Sequence, residues 1–301
     1  MWKKVLDSDL MYSFTRSWVT MIAAVIVLIF FVGAVFAPVL APHDPFNLEA
    51  LNLLDGSKPP AWSADGEWRF PLGTDQQGRC VLSSIMYGTR ISILVGFLGV
   101  ILASIIGITL GLIAGYAGGT VDAIVMRIAD VQLTFPAILI ALLIDGTMRA
   151  LVGTARSEVL VFWVLVVSIG LSFWVQYART VRGSTLVERN KEYVQAGRLI
   201  GLSQTTILFR HVLPNVIGPV SVIATINLAL AIITEATLSF LGVGLPPTEP
   251  SLGTLIRLGN EFLFSGEWWV VIFPGVALAG LVLSVNLLGD WLRDALNPRL
   301  R

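Results

Sequence analysis

Arg127, Asp130 and Glu235 are ionisable residues at or near runs of apolar residues long enough to cross a bilayer. A charge at membrane depth is costly, so each is a candidate for lining a solute path. Arg127 and Asp130 also stand at i and i+3 on one helix face. They can pair near the cytoplasmic end of their helix and hold helices together, which is the simpler reading. Glu235 opens "EATLSFLGVG" after the fifth apolar run, near the outer face, where it lines a route or caps the next turn. Catalytic sets are missing. His43 and His211 lie far apart and Cys80 is the sole cysteine, which excludes an internal disulfide and argues against a His/Cys metal site. The chain has no HExxH, no GxSxG and no GxxxxGK[ST] phosphate loop. Any ATP-driven work therefore needs an ATPase on another polypeptide.

The elements that position these residues are membrane helices. Of 301 residues, 55% are hydrophobic and 13% charged, with a mean hydropathy of +0.80. Soluble domains carry about 25% charged residues. The net charge of zero implies no bulk attraction to nucleic acid. Five uncharged runs are long enough to span: 17–42, 91–121, 159–178, 212–234 and 268–289. A further run, 131–144, is short and reaches a workable length only when extended back to Ala123, taking in Arg127 and Asp130. Six spans are expected, the third being the least regular. The first has an apolar core longer than the ordinary signal-peptide core, so it is expected to stay as a span. Its tryptophan, Trp18, and Trp268 and Trp269 fit interface anchors.

Basic residues set the orientation. With the N-terminus inside, the inner segments hold thirteen Lys and Arg and the outer ones seven. Both termini are expected in the cytoplasm. The resulting division is a tail and first span (1–42), an outer loop (43–90), a core of five spans (91–290) that contains a cytoplasmic loop (191–214), and a cytoplasmic tail (291–301).

Within the core, a polar segment interrupts the greasy pattern on the cytoplasmic side: "EYVQAGRLIGLSQTTILFRHVLPN", residues 192–215. It reads as two short helices. Gly201 breaks the first, Ser203 caps a second through Arg210, and Pro214 sits near the start of the fifth span. Such a basic amphipathic unit can rest on lipid headgroups. It can also dock a protein, because the small residues Ala196, Gly197 and Gly201 admit close approach of a partner backbone.

The segment resembles a known family. Ala196–Gly197, Gly201 and Leu213–Pro214 resemble the EAA loop of ABC-importer permeases, with Gly197 standing where that motif has alanine. "PLGTDQQGRCVLSSIMYGTRIS" (71–92), "GLIAGYAGG" (111–119), "VDAIVMRIADVQLTFP" (121–136), "EATLSFLGVG" (235–244) and "NLLGDWLRDALNPRLR" (286–301) are similar to the C-type permeases of dipeptide, oligopeptide and nickel importers. Cys80 replaces the expected Asp. The resemblance implies an all-α integral membrane protein of six transmembrane helices with the MetI-like permease fold. It implies that Glu192, Tyr193, Ala196, Gly197, Gly201, Leu213 and Pro214 form a cytoplasmic coupling helix and elbow that meet an ATPase. The implied partners are a second, B-type permease, two cytoplasmic ATPase subunits that bind ATP and Mg, and a periplasmic or lipid-anchored solute-binding protein in the inner membrane of a bacterium. The chain itself holds no cofactor. Short peptides are the expected solute, with nickel chelates, opines, glutathione-like compounds and oligosaccharides as relatives. Two rivals differ in class. An ion-coupled transporter or channel predicts more charges deep in the spans and no docking loop. A membrane scaffold brings down no ATPase.

Overall fold

A computed structural model describes residues 9–47, 51–153 and 157–296, and every regular element among them is helical. A short amphipathic α1 (Asp9–Arg16) leads into α2 (Trp18–Val35), whose start is fixed by the Ser17 side chain accepting the Thr20 N–H. The bundle then holds α3 (Val81–Ala117), α4 (Gly119–Leu133), α5 (Ala137–Val152) and α6 (Glu158–Glu188). After the short α7 (Glu192–Leu199) come α8 (Leu213–Phe240), α9 (Leu252–Asn260) and α10 (Trp269–Leu296). Five helices are long and apolar enough to cross a membrane, and α4 with α5 make a sixth if that bent pair counts as one span.

The most extensive helix pair is α3 with α6. Its cause is in the sequence: Gly99, Gly107, Gly111 and Gly115 lie along α3 where it meets α6. A Cβ on Gly99 would sit 2.6 Å from Ile169 Cγ2, and one on Gly115 2.7 Å from Thr185 Cβ. The backbones therefore approach as only glycine allows, which is how apolar helices gain packing where water supplies no driving force. Val95, Leu165, Ile169, Tyr177 and Val181 fill the surrounding core. A second core joins α8, α9 and α10 through Ile232, Leu252, Val270 and Leu281.

Two expectations need correction. The third span is not one straight helix. α4 and α5 meet at 91° across Thr134–Phe135–Pro136. Pro136 lacks an N–H and forces its predecessor out of helical geometry, so it can begin α5 but cannot continue α4. The fifth span is longer than the run from 212 to 234. It is continuous from Gln204 to Phe240, so the second short helix of the polar segment is its first turns. A π-helical stretch, Ile207–Val212, carries it past Pro214, with the Leu213 N–H reaching Leu208 O. The wider turn takes the proline without ending the helix. Because the helix runs on to Phe240, Glu235 lies inside α8 rather than after it.

Candidate functional site

The segment between α6 and α8 is built as a clamped elbow. Glu192 in the first turn of α7 and Arg198 in its last complement the helix dipole. The helix stops where Leu202 N–H bonds Gly197 O and Gly201 takes φ +80°, a conformation that costs an L side chain strain. Ser203 then accepts the Thr206 N–H to start the next turn. Val194 and Ile207 are buried under the elbow. Gly197 faces Leu202 and Ile207 with ordinary contact room for a Cβ, at 3.5 and 3.6 Å.

Polar bonds fasten this elbow to both flanking spans. Tyr193 Oη donates to Glu188 Oε2 at 2.5 Å, and Lys191 Nζ donates to Glu188 Oε1 at 2.6 Å. Asn215 Nδ2, at the start of α8, donates to Tyr193 Oη at 3.2 Å and to His211 O at 2.7 Å. Tyr193 thus joins the end of α6 to the start of α8. Burial and the Glu188 carboxylate together push its phenol up to about 12. The Arg198 guanidinium lies 5.3 Å from the Tyr116 ring centroid, and Arg189 Nη1 donates to Gly115 O, so the elbow also grips the end of α3. Arg182 pairs with Asp122 of α4 through both carboxylate oxygens.

Sequence reasoning missed the outward tip of this unit. Leu199 is 88% exposed and Ile200 76%, side by side at the end of α7, and Phe209 is exposed beyond them. The hydrophobic pattern marks these residues as apolar. Their exposure follows only from the Gly201 turn and from Val194 and Ile207 taking the inward positions.

The charges in the spans are not brought together. Asp130 pairs with Arg179 of α6 at 2.6 Å and not with Arg127, because α6 runs alongside and offers a guanidinium across the helix interface. Arg127 lines an apolar cavity of about 510 Å³ at the α4–α5 bend, with Gln132 and Phe135. Glu235 is fully buried, accepts the Ser239 hydroxyl at 2.6 Å, and has Ser92 and Ser251 beside it. Cys80 is the N-cap of α3 and makes no capping bond, the place where an Asp side chain would make one. No cluster of three or more His, Cys, Asp or Glu suited to a metal exists among the described residues.

Comparison with known proteins accounts for this architecture. Residues 107–301 match the family model described as "Binding-protein-dependent transport system inner membrane component". Residues 8–60 match the "N-terminal TM domain of oligopeptide transport permease C". The chain is 40% identical to the dipeptide transport system permease protein DppC of Escherichia coli (strain K12) over 290 residues, 96% of this chain and 91% of that one. It is 36% identical to DppC of Haemophilus influenzae, covering 96% and 94%, and 38% identical to the glutathione transport system permease protein GsiD of Pectobacterium atrosepticum, covering 96% and 89%. An inward-facing structure of the MetNI methionine ABC transporter shares the fold at 19% identity and a TM-score of 0.54, over 71% of this chain and 96% of that one. A multi-pass permease of this kind is a transport subunit rather than an enzyme, and it works with separate ATPase and permease partners. By its helices, its elbow and its relatives, the chain belongs to the family of binding-protein-dependent transport system inner membrane components, as a permease of an ABC importer.

Proposed function

We propose that the chain passes short peptides, or a closely related small solute, inward by alternating access, and that the α7 elbow is the element through which ATP drives it. The named relatives that carry dipeptides support the solute class. The observation that carries the coupling reading is the elbow itself: fixed through Tyr193 to two spans, yet presenting Leu199 and Ile200 bare at its tip. A segment that only lay on lipid would have no need of polar fastening to both spans. Glu192, Ala196, Gly197, Gly201, Leu213 and Pro214 shape the elbow and its junction with α8. The tip docks on one of two cytoplasmic ATPase subunits, which bind ATP and Mg. A second, B-type permease completes the pathway, and a binding protein delivers solute from outside. Both termini lie in the cytoplasm of a bacterial inner membrane.

The test is a pair of tip and turn variants in the co-expressed complex. Leu199→Asp changes the bare tip while touching little else, and Gly201→Arg strains the turn. Both should insert normally, lose the ATPase subunits on mild detergent extraction and lose ATP-driven uptake in liposomes. Retention of the ATPase by both variants would refute the coupling reading. Arg127, Asp130 and Glu235 remain candidates for the solute path; their neutral variants Arg127→Gln and Asp130→Asn should slow uptake while leaving the ATPase bound.

A further inference from the structure

At the end of the bundle opposite the elbow, a cavity of about 460 Å³ opens between the start of α3, the start of α6 and the loop before α9. This volume lies within the range of about 300–1,000 Å³ that small-molecule sites occupy. Its wall is mostly apolar, with Phe46, Tyr87 and Phe162 contributing rings. Three ionisable residues line it from three different elements: Arg90 on α3, Glu158 on α6 and Glu249 on the loop. Arg90 and Glu249 make no ion pair with any described residue. Among the described residues Glu158 takes only the Thr248 hydroxyl, at 2.5 Å, which steadies the carboxylate.

Several charged side chains near this end do pair, Arg79 with Asp75, Arg149 with Asp145, and Lys58 with Asp55 and Glu67, whereas the three around the cavity converge on it from different elements without pairing. Opposite charges around one cavity that do not reach each other leave complementary places for a ligand that carries both signs. A ring-lined wall between them suits an apolar or peptide body.

We infer that this cavity is a solute subsite of the permease itself, built for a small zwitterion: Arg90 receives a carboxylate, Glu158 and Glu249 receive an ammonium group, and the rings cover the body between. The inference rests on the proposed transport function and deepens it, since it places a check on both chain ends of a short peptide within the permease. Solute arriving at this end meets the cavity before the span interior.

The experiment uses the full permease complex in nanodiscs without any binding protein, with radiolabelled tri-alanine as the probe in equilibrium dialysis. Tri-alanine amide and N-acetyl-tri-alanine serve as competitors. The wild type should bind tri-alanine saturably and prefer it about tenfold or more over either blocked form, the order expected for one charge-assisted bond. Arg90→Gln should bind tri-alanine and its amide equally while still rejecting the acetylated form. Glu158→Gln/Glu249→Gln should do the reverse. A loss that merely reflected altered packing would not sort by which terminus is blocked. The inference is overturned if the wild type binds all three alike, if it shows no saturable binding, or if the variants lose affinity without regard to the terminus. It is equally overturned if the variants leave tri-alanine binding intact and instead weaken docking of a binding protein, which would make this a protein interface. Co-purification of the ATPase with the same variants reports separately on the transport reading.

Discussion

Tyr193 shows how much of the proposed coupling depends on single atoms. Its hydroxyl is donor to Glu188 and acceptor from Asn215, so Tyr193→Phe removes both bonds with little change in shape. The anchorage of α7 should weaken by about 1–2 kcal/mol, and uptake per ATP hydrolysed should fall even where the ATPase still binds. Because the folded protein holds this proton more tightly than a free phenol of 10.0, the contribution is complete below that pH and is lost as pH rises through about 12. A phenolate-absorbance titration, taken as wild type minus Tyr193→Phe, should show the late step. Gly197 makes the opposite case. It sits inside α7 with contact room for a Cβ, so Gly197→Ala should raise thermal stability by about 0.5–1 kcal/mol with coupling kept. Both positions stand in the segment that the sequence marks out as a coupling candidate. The Asp130–Arg179 pair escaped it, because the partners are 49 residues apart and no local spacing predicts their meeting.

Helices were legible where charge was absent and obscure where backbone geometry decided. Uncharged runs gave α2, α3, α6, α8 and α10 because a bilayer excludes charge from long stretches. The α4–α5 bend was missed although Phe135–Pro136 stands in the sequence, since a count of apolar residues does not register an angle. The π stretch was equally hidden; it compensates for Pro214 and leaves no compositional trace. At this scale the firmest prediction concerns the α3–α6 contact. A Cβ on Gly111 would lie 2.5 Å from Ala178 O and 2.9 Å from Val181 Cβ. Gly111→Val should separate the two backbones at a cost of about 2 kcal/mol or more, seen as reduced yield of folded protein in detergent and a lower unfolding temperature. Gly183 has nothing within reach of a new Cβ, so Gly183→Ala is the matched control.

Across the whole molecule, the segment before α3 is tied down far more than a run rich in Pro, Gly and Asp advertises. Lys58 bridges Asp55 and Glu67, Thr74 O accepts the Trp269 indole, and Ser57 reaches Glu267. His43 accepts from Arg69 Nε at 3.1 Å, and burial, then the Arg69 charge, lower its pKa below 6.5 against an opposing pull from Asp55. Neutral His43 is therefore the form the fold favours. Its contribution is present above the free value and is lost as pH falls through the lowered one. Protection against hydrogen exchange across residues 52–80, measured relative to the intrinsic rate at each pH, should fall as pH drops below the free histidine value, and His43→Asn should flatten that change. Trp68, 82% exposed, stands on this segment, while Leu199 marks the other end of the bundle; the proposed orientation puts the first outside and the second in the cytoplasm. Maleimide applied from outside should label Trp68→Cys in whole cells, and Leu199→Cys only after permeabilisation. That comparison draws on Cys80. The only thiol in 301 residues is 1% exposed at the foot of α3. Burial shields that thiol from reagents in solution, so an exposed position can be given a reporter cysteine with Cys80 left in place.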